Sequence, residues 1–306
     1  MSRSFYTAWT WSGFRRGSRP QRRVAQRCIW LLFAALAAPA ADATVTFDEI
    51  MRWGGDPISR VGACGDLACV ASGNLVMTFN IGAPDQPLLL GVAPILSDYC
   101  SGVAVAGRYA YVGENAGTLR VLDLADPANP VQVYVLDLGQ PIGDIKLVGE
   151  RAYIASTGLI ILDLSEPAWP AVMGSTPFEL TNAVDADGDY ACLTTSDNGM
   201  GIVNVANPYA PQLVGWCADT PDYATAVGVY GSFAYVCSQS FDGLSIIDFT
   251  SPENPVLIGT VPSCYPYDVE IVGQLMFTDG SPALAVFDLS NPAQPIRIGV
   301  LYGGET

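Results

Sequence analysis

One short string recurs six times along this chain. It reads FNIGAPDQP ending at Pro87, LDLADPANP ending at Pro130, LDLSEPAWP ending at Pro170, VNVANPYAP ending at Pro211, IDFTSPENP ending at Pro255 and FDLSNPAQP ending at Pro295. The first proline of each copy is Pro84, Pro127, Pro167, Pro208, Pro252 or Pro292, so successive copies are 43, 40, 41, 44 and 40 residues apart. Each interval is filled with short alternating apolar segments and turn residues. A period in the low forties with about four strands per unit specifies sheets repeated radially around an axis. The expected fold is all-β: a six-bladed β-propeller of four-stranded antiparallel blades on a ~42-residue repeat, spanning about Val45 to Leu301. Val45–Trp53 and Ile296–Leu301 are the candidates for closing the ring by terminal pairing.

The second unit shows how residues dictate the plan. Gly102–Ala106 alternates as a first strand, and Gly107-Arg108 turns it. Tyr109–Val112 is aromatic and β-branched, which suits a half-buried pleated surface. Glu114–Gly117 is a turn, Leu119–Leu124 a third strand, Asp126–Pro130 a stiff connection and Val131–Val135 a fourth strand. A glycine returns at one register as Gly65, Gly107, Gly149, Gly188, Gly231 and Gly273. That repetition predicts a hairpin needing positive φ. Asp123, Asp163, Asp248 and Asp288 share another register, with Asn80 and Asn204 in the remaining copies. Because Asn replaces Asp there, a ring of catalytic or metal-binding carboxylates is the poorer explanation. Both residues accept a hydrogen bond from an amide two positions on, so Asx turns are predicted.

The first 43 residues form a separate object. Seven arginines precede an apolar run from Ile29 to Ala38, and small residues follow, with cleavage expected after Ala40 or Ala43. This is the pattern of a secretory signal peptide, too short to span a bilayer, which takes about 20 apolar residues. Residues 44–306 then form the propeller, exported to the periplasm, the cell surface or the medium, with no stable membrane insertion after signal cleavage. Removing residues 1–40 leaves seven basic residues against thirty acidic ones, a net charge of −23. Such a surface repels phosphate backbones, so nucleic acid is not an expected partner. Seven cysteines remain, an odd number, so at least one is unpaired or pairs with another chain. Cys64 and Cys69 are candidates for cross-strand neighbours, and Cys100 and Cys264 occupy equivalent loops. Cys192 and Cys237 read as small buried residues.

With the repeats laid out, the chain resembles the LVIVD-repeat family of bacterial and archaeal exported β-propellers. The resemblance rests on LRVLDLADPANP at 119–130, LIILDLSEPAWP at 159–170, LSIIDFTSPENP at 244–255 and LAVFDLSNPAQP at 284–295, with VxVxGxYAYV-type strings at 103–112 and 227–236. It covers roughly residues 56–300. It implies a propeller that is exported or surface-associated, and it brings no shared catalytic motif. FNIGAPDQP lacks the acid, and the unit from 183 to 211 has a shortened first half.

The chain contains no histidine. A Ser-His-Asp triad, a Cys-His pair and a His-ligated zinc or haem are therefore excluded. No GxGxxG follows a strand and no GxxxxGK[ST] loop exists. What remains is carboxylate or tyrosine chemistry, or a bound calcium as the one candidate cofactor; no metal ligand set is specified. Six loops lead into the first strands: GGDPISR at 54–60, SDYCSG at 97–102, GQPIGD at 139–144, ELTNA at 179–183, CADTPDYATA at 217–226 and CYPYDVE at 264–270. Ring closure would gather them at one channel mouth, where Asp98, Tyr99, Asp144, Tyr223, Tyr267 and Asp268 are the candidate ligand-binding residues. The expectation is a non-enzymatic binding scaffold for a protein or glycan. The alternative is a carbohydrate-active hydrolase or lyase using Asp and Tyr at the same mouth.

Overall fold

The computed structural model describes residues 5–9, 30–34 and 58–302, except 84–85, 95, 196–198, 221–223, 239–242, 262–265 and 281–282. Every described element is a strand, and no helix among the described residues is long and apolar enough to cross a membrane. β1 (Phe5–Trp9) and β2 (Trp30–Ala34) pair antiparallel within the expected signal segment. The expected cleavage positions Ala40 and Ala43, and the Val45–Trp53 segment, lie outside the described residues.

From residue 58 the chain builds antiparallel sheets in sequence order. β3 (Ile58–Cys64), β4 (Leu67–Ser72), β5 (Leu75–Asn80) and β6 (Leu88–Val92) make the first. β7 (Cys100–Ala106), β8 (Tyr109–Glu114), β9 (Thr118–Asp123) and β10 (Val131–Asp137) make the second. β11 (Asp144–Val148), β12 (Arg151–Asp163), β13 (Ala171–Asp187), β14 (Tyr190–Thr195), β15 (Met200–Asn204) and β16 (Gln212–Cys217) share one six-stranded sheet. β17 (Ala224–Tyr230), β18 (Phe233–Ser238), β19 (Leu244–Asp248) and β20 (Val256–Val261) follow, then β21 (Pro266–Val272), β22 (Leu275–Gly280), β23 (Ala283–Asp288) and β24 (Ile296–Tyr302).

The fold is an all-β propeller, but its blade count departs from the sequence expectation. The ring holds four separate four-stranded blades, not six, because the third and fourth repeats are continuous in one sheet. Two long strands cause this. β12 has no loop between its halves; Gly158, at φ 113°, sits where a Cβ would lie 2.2 Å from the Thr176 carbonyl oxygen. Yet Leu164 N donates to Glu150 O at 2.8 Å, so the two ends of β12 meet. β13 pairs with β12 up to Leu180 and with β14 from Thr181. The ELTNA segment, expected as a loop, is therefore strand.

The repeat's local chemistry matches its reading. All six register glycines adopt positive φ, between 56° and 61°. All six Asp or Asn residues accept an amide two positions on: Asn80 from Gly82, Asp123 from Ala125, Asp163 from Ser165, Asn204 from Ala206, Asp248 from Thr250 and Asp288 from Ser290. Among the described residues five apolar cores lie between neighbouring repeats, and two smaller ones lie within the first and the sixth. One joins Cys69 and Val76 to Val103 and Val112, another joins Tyr153 and Ile161 to Val184 and Leu193, and a third joins Tyr235 and Ile246 to Phe287. No described cysteine is bridged: Cys69, Cys100, Cys192, Cys217 and Cys237 are buried thiols and Cys64 is exposed. Cys69 faces Gly62 rather than Cys64 across the ladder, which removes the expected neighbour relation. Cys264 lies outside the described residues.

The seams between repeats are polar as well as apolar. The first proline of a repeat's turn offers its carbonyl to the preceding repeat. Tyr111 Oη donates to Pro167 O at 3.0 Å, Tyr235 Oη to Pro292 O at 2.8 Å and Thr78 Oγ1 to Pro127 O at 2.5 Å. A glycine of the fourth strand makes room beside the same turn. A Cβ on Gly91 would lie 2.3 Å from Ala128 O, one on Gly174 2.4 Å from Pro208 O and one on Gly215 1.7 Å from Pro252 O.

Candidate functional site

The first strand of each repeat lines the axis, and its register is fixed by the hairpin that follows. Counting back from that hairpin, Gly62, Ala104, Lys146, Asp185, Gly228 and Glu270 occupy one level, each paired with the equivalent residue of its second strand. Two residues earlier, toward the entering loops, stand Arg60, Gly102, Asp144, Ala183, Ala226 and Asp268. Two steps along a strand are about 6.6 Å. Side chains alternate along a strand, so residues two apart point the same way. The ring therefore carries two stacked levels, each with two acids, one base and three small residues. They bound a cavity of about 750 Å³ whose wall includes Arg60, Asp144, Lys146, Asp268 and Glu270.

At the deeper level a lysine crosses the axis. Lys146 Nζ lies 3.1 Å from Glu270 Oε1 and 3.3 Å from Asp185 Oδ1. Burial alone would lower its pKa, but Asp185 and Glu270 outweigh that and hold it above the ordinary lysine value. Asp185 is buried, and its carboxylate also accepts from Val229 N at 2.8 Å and Ala186 N at 2.8 Å. Burial pushes Asp185 up to about 6, with Lys146 opposing and Glu270 adding to the rise.

At the upper level Asp144 accepts from Ile145 N at 2.9 Å and, in the next repeat, from Val184 N at 3.2 Å. Arg60 Nη2 donates to Gly143 O at 3.3 Å. Asp268 accepts from Val269 N at 2.9 Å. Its pKa is raised by burial and then by the Asp144 carboxylate, against Arg60. Behind it Asp279 accepts the Tyr267 and Asp268 amides at 3.1 and 2.6 Å. Burial, then Asp268, raise the Asp279 carboxyl well above its ordinary value. Its Oδ2 is buried without a hydrogen-bond partner among the described residues.

Of the six sequence-nominated residues, Tyr99, Asp144, Tyr267 and Asp268 line the cavity. Asp98 is partly exposed and is not part of its wall. Tyr223 lies outside the described residues. Sequence reasoning missed Arg60, Lys146, Asp185 and Glu270, although each sits three or five residues before a register glycine. It also missed Glu114, which anchors the loop carrying Asp98 and Tyr99. Buried Glu114 accepts Ser97 N at 2.9 Å, Ser97 Oγ at 2.7 Å and Arg120 Nε at 2.7 Å. Burial opposes ionisation there, yet Arg120 and Ser97 together hold its pKa below the ordinary value. Among the described residues no three Cys, Asp or Glu side chains form a metal-binding group.

The LVIVD repeat matches four consecutive stretches: residues 98–137, 142–176, 181–219 and 221–262. The chain belongs to the LVIVD repeat family. The four matched stretches run from the second repeat to the fifth and include Asp98, Tyr99, Asp144, Lys146 and Asp185, while Arg60, Asp268 and Glu270 lie beyond them. No curated protein matches. Among solved structures, a putative 6-phosphogluconolactonase from Bacteroides uniformis aligns with TM-score 0.71 at 13% identity, covering 90% of this chain and 94% of that one. One from Bacteroides fragilis aligns at 0.69 and 10% identity, covering 90% and 93%. The Cps50 (Swd1) β-propeller domain from Myceliophteria thermophila aligns at 0.61 and 13% identity, covering 82% and 87%. At these identities the likeness is one of fold.

Proposed function

We propose that this LVIVD-repeat protein is an exported, non-enzymatic binding scaffold that holds a protein or glycan ligand at the mouth of its central cavity. The observation that carries the reading is the convergence of Tyr99, Asp144, Tyr267 and Asp268, from the second, third and sixth repeats, on one cavity of about 750 Å³. A repeat scaffold fixes such residues while leaving each free to vary, which suits recognition. We also read the six-stranded sheet as two blades, giving six repeats around the axis. The contact of Leu164 N with Glu150 O and the core packed between residues 153–161 and 184–205 support it. Export rests on the arginine-rich, then apolar, N-terminal segment. A glycan and peptide array with the signal-free protein tests the scaffold, with binding expected to fall in Asp144→Asn and Asp268→Asn.

A second reading, a carbohydrate-active hydrolase or lyase, has one observation in its favour: Asp268 on the cavity wall has a raised pKa, as a general acid requires. Turnover of an array-identified glycan, abolished by Asp268→Asn with binding retained, would establish it over the scaffold.

A further inference from the structure

We propose that the upper level of the cavity binds a primary alkylammonium group, such as a lysine side chain presented by a ligand, between Asp144 and Asp268. The proposal rests on the reading of the cavity as the ligand site and names the group it takes. The chain supplies its own template one level down. There the Lys146 ammonium, on β11, sits 3.1 Å from the Glu270 carboxylate of β21 and 3.3 Å from Asp185. One lysine side chain thus spans the axis between these two strands.

Asp144 is two residues before Lys146 on β11, and Asp268 is two residues before Glu270 on β21. The same two strands therefore present acid and acid about 6.6 Å nearer the mouth, where the deeper level presents lysine and acid. The remaining positions at that level are Gly102, Ala183, Ala226 and Arg60, so three of them add no bulk. Arg60 is one guanidinium for two carboxylates, and it also donates to Gly143 O. The level is left with an excess negative charge facing an open cavity.

The wall beside the acids fits the rest of an alkylamine. Tyr99 is 50% exposed and lines the cavity together with Tyr267, giving aromatic surface for methylenes and for a cation. An anionic group would face two carboxylates here.

The test is a titration of the signal-free protein, followed by NMR, with Nα-acetyl-lysine methylamide and with its uncharged isostere Nα-acetyl-norleucine methylamide. The lysine compound is expected to shift resonances of the inner strands saturably, with the norleucine compound weaker by about tenfold or more. Asp144→Asn and Asp268→Asn should each weaken the lysine compound by a similar factor, while Asp98→Asn, off the cavity wall, leaves it unchanged. Melting curves of each variant confirm folding, and the lysine–norleucine comparison needs no variant. Equal binding of the two compounds, or undiminished binding in the folded Asp144→Asn/Asp268→Asn double variant, would overturn the proposal. An uncharged array ligand that shifts the inner strands while the lysine compound does not would sink the ammonium and leave the scaffold standing. If neither perturbs them, both readings fall.

Discussion

The Tyr111 hydroxyl donates to the carbonyl of Pro167 at 3.0 Å, across the seam between the second and third repeats. Tyr235 and Pro292 repeat the contact between the fifth and sixth at 2.8 Å. In the first repeat the equivalent position is Cys69, which has no hydroxyl. Its cross-strand partner Thr78 takes over and reaches Pro127 O at 2.5 Å. The proline turns thus do more than stiffen a connection: their carbonyls are the acceptors that fasten one repeat to the one before.

Tyr111→Phe should therefore destabilise the fold although it keeps the ring and its packing. The side chain is fully buried, so the lost hydroxyl leaves a carbonyl unpaired, at a cost of roughly 1–2 kcal/mol. For a domain of this size that is a fall in melting temperature of several degrees, at about 2–4 °C per kcal/mol. Tyr235→Phe and Thr78→Val should behave alike. Burial pushes the Tyr111 phenol up to about 12, with Tyr109 adding to the rise, so the contact survives mild alkali and the difference between the proteins should persist to about pH 9.

Two glycines at one register should give opposite results. Gly215 and Gly259 are each the fourth residue of their outer strand. A Cβ on Gly215 would stand 1.7 Å from Pro252 O, whereas one on Gly259 would meet nothing within 4 Å. Gly215→Ala must push the fifth repeat's turn away and should cost about 3 kcal/mol or more by overpacking. Gly259→Ala should be neutral or slightly stabilising, since glycine inside a strand forfeits chain entropy. Urea midpoints of the two variants measure the contrast.

The parts of this molecule visible in its sequence were those encoded within a few residues. The Asx turns at Asp123 and its five equivalents need an acceptor and an amide two positions apart. The hairpin at Gly107 and its equivalents needs one backbone angle. Contacts such as Tyr111–Pro167, 56 residues apart, depend on how repeats stack, and no local pattern announces them. The continuity of β12 and β13 was hidden for a related reason: ELTNA carries loop-like residues, but tertiary pairing with β12 and β14 holds it extended. The cavity lies between these cases. Lys146, Asp185 and Glu270 each stand three residues before a register glycine, so aligning the repeats would have placed them at one level. Their ion pairing across the axis depends on how the third, fourth and sixth repeats are placed in space.

Removing the lysine tests that pairing. Lys146→Met keeps most of the side-chain volume and leaves Asp185, with a side chain only 6% exposed, facing Glu270 without a cation. Breaking one partner of a buried pair typically costs about 3–5 kcal/mol, reduced here because Glu270 is 38% exposed and Asp185 can take up a proton. Combining Lys146→Met with Asp185→Asn and Glu270→Gln should recover much of the loss, because no charge is then stranded. A denaturation series of the single, double and triple variants reads the recovery directly.

The pH dependence of stability follows from the same groups. With no histidine in the chain, carboxyl groups dominate any titration between about pH 4 and 7. Asp185 is raised from 3.8 to about 6, and Asp268 and Asp279 are raised as well. A carboxyl whose folded pKa exceeds its unfolded value binds more protons in the native state. Its contribution is complete below the unfolded pKa and is lost as pH rises through the folded one. Asp185 alone accounts for a loss on the order of 3 kcal/mol across that interval, an upper figure for one group. Glu114 and Asp123 act oppositely: their pKa values are lowered, so their contribution is present above the ordinary carboxyl range and disappears in acid. Stability should therefore peak near pH 5, fall toward pH 8 and fall again below about pH 4. Asp185→Asn should flatten the fall between pH 5 and 7. Lys146→Met, which removes the charge holding Asp185 down, should carry the fall to higher pH. Urea midpoints at half-unit pH steps check the sign: a wild-type stability that rises steadily from pH 5 to 8 would contradict the burial of these acids.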